Sequence, residues 1–200
     1  MLYNEISFNL PQLTPFTITL NSFITKLVEL NRQNNLLSFK LNGGEISDKP
    51  IELLCLNCNK LTEFSLSHNS YFARENLSLT NKIYLYLSKL SDLTYLSING
   101  LNLDDKNLKL ILSNCKLLKK IDIRNCWQIT VNSLIELVNY ANQLDHNVSC
   151  YLAGTQISLL DLKDNKPIFN YSNSRLHLSF HPIQENLIEF DIIEDDFAFI

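Results

Sequence analysis

The sequence has little glycine or proline and no long apolar run. Four of its 200 residues are glycine and five are proline, without tracts of either, which argues against a disordered chain. No stretch approaches the roughly 18 consecutive apolar residues of a membrane-spanning helix, and the N-terminus lacks the pattern of a secretory signal. With 46% hydrophobic residues, the chain can bury one core. We therefore predict a folded intracellular protein, cytoplasmic or nuclear.

Cysteine is present in an odd number, which does not favour a disulfide framework. Five cysteines in a chain without a secretory signal fit free, buried thiols better. Cys55 and Cys58 form a CxxC pair, but structural zinc needs two more ligands at suitable spacing, and Cys115, Cys126 and Cys150 lie in other parts of the chain. Free cysteine packs as a small hydrophobic residue. We predict core positions for the cysteines, with no metal site and no cofactor.

Catalytic motifs are also missing. The sequence contains no GxSxG motif for a nucleophile and no glycine-rich phosphate loop, so we predict no catalytic residues and no enzyme. The net charge is −4, and residues 182–200 hold six acids and no base. Neither that segment nor the nearly neutral remainder is basic enough to favour nucleic acid as a partner. Binding to nucleic acid or to a membrane is therefore not predicted.

Five segments of the sequence share one spacing of apolar residues. Each has them at positions 1, 4 and 6 of a common frame, and the segments begin 23, 25, 32 and 25 residues apart. The residues are Leu13, Phe16 and Ile18; Leu36, Phe39 and Leu41; Leu61, Phe64 and Leu66; Leu93, Leu96 and Ile98; and Leu118, Ile121 and Ile123. Short apolar runs that alternate with polar residues predict β-strands. Their recurrence predicts a repeat of about 25 residues, within the range of leucine-rich repeats.

The residues between these strands carry a helical pattern. Ahead of the fifth strand, for example, Leu108, Ile111, Leu112 and Cys115 lie on one face of a helix. The equivalent inward positions in the neighbouring repeats include Cys55, Cys58 and Tyr86. Residues suited to cap a helix precede these patterns, namely Ser47, Thr80, Asp104 and Thr130. Each repeat is therefore predicted to be one strand followed by one helix.

The remaining segments complete the predicted organisation. Residues 148–154 and 176–180 alternate like two further strands, residues 158–164 suggest a short helix, and residues 70–79 read as a surface loop. We predict an N-terminal cap at residues 1–12 and a domain of about six leucine-rich repeats at residues 13–181. Residues 182–200 would form an acidic and apolar C-terminal tail or cap, since a solenoid must cover its open ends.

One run of the sequence resembles a known family. Cys115, Leu118, Ile121, Ile123 and Cys126, followed by Ile129-Thr130, look like the cysteine-containing leucine-rich repeat of F-box proteins in the ubiquitin system and of the related fungal antagonist of mitotic exit. The resemblance covers roughly residues 13 to 154. It implies a curved α/β solenoid, with parallel strands on the concave face and helices on the convex face. It also implies that the concave face recognises protein substrates.

Two functions stay open after this resemblance. F-box proteins carry an upstream helical segment that docks the ligase core, and the twelve residues before Leu13 are too few to hold one. The chain is expected to be a substrate-recognition or adaptor subunit of a ubiquitin ligase of the Skp, cullin and F-box type, with no F-box visible in it. The alternative is a stand-alone leucine-rich repeat binding protein, such as an inhibitor, an assembly factor or an effector unrelated to ubiquitination.

The predicted binding residues lie between the apolar positions of the strands, because alternate side chains point to the concave side. That side would carry Thr17 and Thr19; Ser38, Lys40 and Asn42; Glu63, Ser65 and Ser67; Tyr95, Ser97 and Asn99; and Lys120, Asp122 and Arg124. Any solvated face is polar, but tyrosine and arginine are enriched in interface hot spots. We predict a protein-binding site on the fourth and fifth strands, formed by Tyr95, Ser97, Asn99, Lys120, Asp122 and Arg124.

Overall fold

The computed structural model describes residues 5–9, 17–29, 33–43, 47–67, 79–158, 160–161 and 175–180. The strands in these ranges are β1 (Glu5–Asn9), β2 (Ser38–Asn42), β3 (Glu63–Ser67), β4 (Tyr95–Asn99), β5 (Lys120–Asp122), β6 (Val148–Tyr151) and β7 (Leu176–Ser179). The α-helices are α1 (Thr17–Glu29), α2 (Asp48–Asn57), α3 (Lys82–Leu87), α4 (Asp105–Asn114) and α5 (Val131–Asn142), and a 3-10 helix covers Gln33–Asn35.

The strands form one parallel sheet whose order follows the chain from β1 to β7. The helices lie between consecutive strands in the sequence, and each helix from α1 to α4 contacts the next one. Crossovers between parallel strands are right-handed, so a strand order that always advances in one direction places the helices on one face of the sheet. The prediction of an α/β fold with parallel strands is confirmed.

The pairing of the strands follows the apolar frame read from the sequence. Fourth-position residues lie opposite one another from strand to strand, in the row Ile6, Phe39, Phe64, Leu96, Ile121, Cys150 and Leu178. This row is buried, and the rings of Phe39 and Phe64 stack with their centroids 5.7 Å apart. The predicted strands from the second segment onward are therefore confirmed, including those in residues 148–154 and 176–180.

The first predicted strand is wrong. The frame placed it on Leu13, Phe16 and Ile18, but Thr17–Glu29 form helix α1, and Leu13 and Phe16 lie outside the described residues. A short apolar run fits a helix as well as a strand when only its spacing is considered. In the helix, Ile24 reaches the core and is 1% exposed. The helix thus contributes a buried residue to the core.

The strand at this edge of the sheet lies earlier in the chain. Glu5–Asn9 form β1, inside the segment that was predicted to be an N-terminal cap, and Ile6 pairs with Phe39 of β2. Thr17 and Thr19, which were predicted to point to the concave side, lie on α1 instead. The polar face of the sheet therefore begins with the side chains of β1.

The helices α2, α4 and α5 begin directly after residues predicted as caps. The Asp104 carboxylate accepts a hydrogen bond from the Asn107 amide at 2.8 Å, and the Thr130 hydroxyl accepts one from the Asn132 amide at 3.3 Å. Ser47 precedes α2 with an extended backbone. These bonds satisfy amide groups that have no partner in the first helical turn.

Helix α3 differs from its predicted form. It covers only six residues, and Asn81 rather than Thr80 occupies its cap position. Tyr86 was predicted to face the core but is half-buried, whereas Tyr84 is 2% exposed. A helix of fewer than two turns is oriented by its contacts with α2 and α4, because its own periodicity is too short to define a face.

Acidic residues link successive helices at their N-terminal ends. Asp48, the first residue of α2, accepts a hydrogen bond from the Thr80 amide at 2.7 Å, and Asp105, the first residue of α4, accepts one from the Thr130 amide at 2.8 Å. Both carboxylates also accept from the threonine hydroxyls. A carboxylate in the first turn also complements the positive end of the helix dipole. These bonds connect α2 to the start of α3 and α4 to the start of α5.

All five cysteines are free and buried, as predicted. The Cys115 thiol lies 3.4 Å from the Leu90 carbonyl oxygen, and the Cys126 thiol lies 2.9 Å from that of Ile98. Both thiols therefore donate to carbonyl groups of the preceding strand-helix unit. Burial raises the pKa of Cys58 to about 11 and the pKa of both Cys115 and Cys126 to about 12.

Other predicted segments lie largely or wholly outside the described residues. They are the loop at residues 70–79, apart from Leu79, the helix at residues 158–164, of which residues 160–161 are helical, and the tail at residues 182–200. In the ranges that the structure describes, no helix has the length and apolar character needed to cross a membrane.

We predict that Ile121→Ala lowers the free energy of unfolding by about 2–5 kcal/mol, because it leaves a cavity beneath β5. Ile121 is 0% exposed, whereas Leu117, four residues earlier, is 49% exposed. Leu117→Ala is the matched control and should change stability by no more than about 0.5 kcal/mol. Urea unfolding of both variants measures the difference, and equal losses would contradict the described core.

We also predict that the thiols resist labelling in the native protein. Burial raises the pKa of Cys58 and Cys115, and the reactive species is the thiolate, so both should react slowly at neutral pH. Modification by Ellman's reagent should be slow without denaturant and should reach five thiols per chain once the protein is unfolded. Rapid native labelling of Cys58 or Cys115 would show that these thiols are not in the core.

Candidate protein-binding surface

The face of the sheet opposite the helices, here called the open face, carries the polar side chains of the strands. Because side chains alternate along a strand, this face holds the residues on either side of the buried fourth position. One row across it is Glu5, Ser38, Glu63, Tyr95, Lys120, Ser149 and His177. The next row is Ser7, Lys40, Ser65, Ser97, Asp122, Tyr151 and Ser179.

Asp122 and Arg124 form a two-point ion pair on β5 and just after it. The Arg124 Nε donates to Asp122 Oδ1 at 2.8 Å, and its Nη2 donates to Oδ2 at 2.6 Å. Ser97 on β4 adds a hydrogen bond to Oδ2 at 3.3 Å. The hydrogen bonds to Asp122 raise the pKa of Arg124, so its guanidinium stays charged at any physiological pH. The two charges therefore neutralise each other, and the pair lies on the open face.

Lys120 lies between two tyrosine rings. Its Nζ is 5.7 Å from the ring centroid of Tyr95 and 5.1 Å from that of Tyr151. Tyr95 is directly opposite Lys120 on β4, and Tyr151 lies diagonally across on β6, opposite Asp122. Both distances fall within the range of cation–π attraction. The rings therefore hold an exposed lysine in a defined position on β5.

The N-terminal half of the open face carries a different charge arrangement. The Lys40 Nζ lies 3.1 Å from a carboxylate oxygen of Glu5 and 3.0 Å from one of Glu63. The hydrogen bonds that Lys40 donates to Glu63 and Glu5 raise the pKa of Lys40, and the bond from Lys40 lowers the pKa of Glu63. Such exposed pairs contribute little to stability. Two carboxylates around one ammonium leave this half of the face with an excess of negative charge.

Amide side chains occupy the carboxyl ends of the strands. The Ser67 hydroxyl donates to the Asn42 side-chain oxygen at 2.8 Å, and the Asn125 side-chain amide donates to the Asn99 oxygen at 3.0 Å. Asn125 has a positive φ of 59°, a conformation that asparagine tolerates better than most residues. Asn99 thus bonds to the turn that follows β5, away from Lys120 and its two rings.

The structure places the predicted binding residues on one face but in separate groups. Tyr95 lies beside Lys120, whereas Ser97 bonds to the ion pair of Asp122 and Arg124. Asn99, the sixth residue, belongs to the group at the strand ends. Within these groups, Lys120 is exposed, Tyr95, Asn99 and Arg124 are half-buried, and Ser97 and Asp122 are buried.

The prediction that Ser97 and Asp122 point into solvent is wrong. Each is only 3% exposed. The guanidinium of Arg124 covers the Asp122 carboxylate, and Ser97 is a small residue beside it. A buried carboxylate must be paired, so Arg124 serves first to neutralise Asp122.

Tyr151 is the aromatic residue beside Lys120 that the sequence pattern did not predict as part of this surface. The alternation in residues 148–154 places Ser149 and Tyr151 on the face opposite Cys150, and this was the available signal. Its proximity to Lys120 depends on the pairing of β6 with β5, because 31 residues separate the two in sequence.

The chemistry of the surface consists of charges, aromatic rings and hydrogen-bond donors and acceptors. Within the part of the chain that the structure describes, no group of three or more histidine, cysteine, aspartate or glutamate residues could hold a metal ion. In the part of the chain that the structure describes, fold and surface define the class as a parallel α/β protein whose sheet carries polar side chains on the face opposite the helices.

Comparison with known proteins does not assign the chain to a family. No protein-family model matches the chain, and no curated protein matches it. The assignment of function therefore depends on the residues and contacts described above.

We predict that Arg124→Ala lowers the free energy of unfolding by about 3 kcal/mol or more, because it leaves the buried Asp122 carboxylate without its partner. Asp122→Ala should also be destabilising. The double variant should lose less free energy of unfolding than the sum of the losses in the two single variants, since it removes both charges. Lys40→Ala is the control, because its ion pairs are exposed, and it should cost about 1 kcal/mol or less. Urea unfolding of the unchanged chain and the four variants measures these losses. Additive losses in the double variant would show that Asp122 and Arg124 are not coupled.

Proposed function

We propose that this chain is a leucine-rich repeat protein, a curved solenoid of about six repeats, whose open face is the concave surface that recognises another protein. The arrangement of β2 to β5 supports this proposal, because the same apolar positions align across consecutive strand-helix units. Cys115 and Cys126, which donate to carbonyl groups of the preceding unit, are among the residues that carry the sequence resemblance.

The observation that carries the proposal of protein binding is the grouping of Tyr95, Lys120 and Tyr151. Large aromatic side chains beside a charge are typical of interface hot spots. Serine and asparagine occupy much of the surrounding sheet, so these three side chains stand among smaller ones. They lie on paired strands, and a rigid backbone reduces the conformational entropy that is lost on binding.

The resemblance to F-box repeat proteins supports a more specific role. We propose a substrate-recognition or adaptor subunit of a ubiquitin ligase of the Skp, cullin and F-box type, working inside the cell. The competing proposal is a stand-alone binding protein that acts as an inhibitor, an assembly factor or an effector. Both functions use the open face, and they differ in whether the ligase core accompanies the chain.

Affinity purification of the full chain from its own cells separates these roles. Co-purification of a Skp-type adaptor and a cullin would support the ligase subunit. Recovery of a stoichiometric partner without them would support the stand-alone binding protein. A variant of Tyr95 and Tyr151 that still folds is the control, because a partner of the open face should be lost from it while contaminants remain.

We predict that Tyr95→Ala weakens binding of a captured partner by about 2 kcal/mol or more, since truncating an anchor residue removes most of its contact area. Ser7→Ala, at an exposed residue of β1, should have little effect. Isothermal titration calorimetry with purified partner measures both affinities, and circular dichroism confirms that both variants are folded. Losses confined to β1 and β2, or to outward residues of the helices, would place the binding site elsewhere.

A further inference from the structure

Lys120 differs from the other cations of the open face in its charge partners. Lys40 lies between Glu5 and Glu63, and Arg124 is paired with Asp122. Among the residues that the structure describes, no ion pair joins Lys120 to a carboxylate, and its close charge contacts are with the two tyrosine rings. Within the described residues, the positive charge of Lys120 therefore lies beside two rings and is not neutralised by a carboxylate.

The two rings leave the hydrogen-bonding capacity of Lys120 available. A ring face attracts the ammonium through its quadrupole, whereas the three N–H groups remain able to donate to an oxygen acceptor. Because Tyr95 and Tyr151 approach from strands on opposite sides of β5, they restrict the side chain to the middle of the group. The group thus presents an oriented ammonium to whatever covers the open face.

Asp122 does not neutralise Lys120, although the two residues share a strand and a face. Its carboxylate oxygens accept hydrogen bonds from Arg124 and Ser97, and its side chain is 4% exposed. The charges of Asp122 and Arg124 cancel within their own pair. Among the described residues of β4, β5 and β6, the charge that remains on this face is the positive charge of Lys120.

We propose that Lys120 binds a side-chain carboxylate in an acidic segment of the partner protein, while Tyr95 and Tyr151 pack against the residues beside that carboxylate. This inference rests on the proposed function and adds the chemistry of the partner. The ammonium donates to the carboxylate oxygens, and the rings exclude water from one side of the pair. Burial of this kind strengthens an ion pair relative to one that is fully exposed.

The charges on the other half of the face limit the length of the acidic segment. Glu63 lies on β3, two strands from Lys120, a distance of about 10 Å at the usual strand spacing. Glu5 and Glu63 would repel a polyanion that extended across the sheet, so nucleic acid and long acidic runs are disfavoured. The ligand we infer is a polypeptide with one or two adjacent acids.

The test uses the full chain, labelled with nitrogen-15, and synthetic octapeptides as probes. One peptide carries two central glutamates among glycines, alanines and a tyrosine, and matched peptides carry glutamines, phosphoserines or lysines instead. The glutamate peptide should shift the backbone amide signals of β4, β5 and β6, and the glutamine and lysine peptides should not. The same spectra report whether each variant is folded.

Variants connect the binding to Lys120. Lys120→Gln should lower the affinity for the glutamate peptide by about three- to fivefold, the effect expected for loss of a partly exposed ion pair. Lys116→Gln is the matched control, because Lys116 is also exposed and lies over a tyrosine ring, 5.5 Å from the centroid of Tyr140, but outside the open face. The Lys116→Gln variant has the same net charge as the Lys120→Gln variant and should bind the glutamate peptide with the affinity of the unchanged chain. Lys120→Arg should retain binding.

A charge-neutral variant tests the contribution of the rings. Tyr151→Leu should lower the affinity for the glutamate peptide by about twofold, because Lys120 loses one of its two cation–π contacts. Equal weakening by Lys120→Gln and Lys116→Gln would overturn the proposal, since attraction to net charge would then suffice. It would also be overturned by binding of the phosphoserine peptide alone, or by no binding of the glutamate peptide. Those results would not contradict the proposed protein binding by the open face, because that proposal is tested separately by Tyr95→Ala with the captured partner.

Discussion

Each unit of this protein depends on a hydrogen-bonded connection to the unit before it. Just ahead of β3, β4 and β5, the amide of Thr62 donates to the Leu37 carbonyl, that of Thr94 to Thr62 and that of Lys119 to Thr94, each at 2.8 Å. The amide of Ser149, within β6, donates to the Lys119 carbonyl at the same distance. These bonds set the register of the parallel sheet from β2 to β6. One strand and one helix cannot bury an apolar face alone, so stability comes from stacking such units.

The register decides which side chains of the open face meet. Tyr95 lies opposite Lys120 because β4 and β5 pair in the same frame as the other strands, and Tyr151 lies opposite Asp122 for the same reason on the other side. A shift of one residue in either pairing would turn these side chains toward the helices. The recognition surface and the hydrophobic core are therefore specified by the same backbone bonds.

The open face combines one buried ion pair with exposed charges, and these have different physical roles. Asp122 and Arg124 satisfy one another, so their removal acts on stability. Lys120 is exposed and lacks a carboxylate in the described part of the face, so its charge is available for recognition. A charged residue on a sheet can thus be assigned a role only after its partners and its burial are known.

Local periodicity was sufficient to predict much of the fold. The strands from β2 onward and the helices α2, α4 and α5 follow from patterns of period two and period 3.6, because these patterns reflect which side of an element is buried. The starts of α4 and α5 follow from Asp104 and Thr130, whose side chains cap the helices through local bonds. The same reasoning failed at Ile18, which lies in α1, because a short apolar run fits a helix or a strand when only its spacing is considered.

The candidate site could be predicted only in part. Alternation along the chain placed Tyr95, Lys120 and Arg124 on one face, since that requires no knowledge of neighbouring strands. The burial of Asp122 and the position of Tyr151 beside Lys120 were decided by tertiary structure. Both depend on side chains that are distant in sequence and on the register between units, and a single strand carries no signal for what its neighbours place beside it.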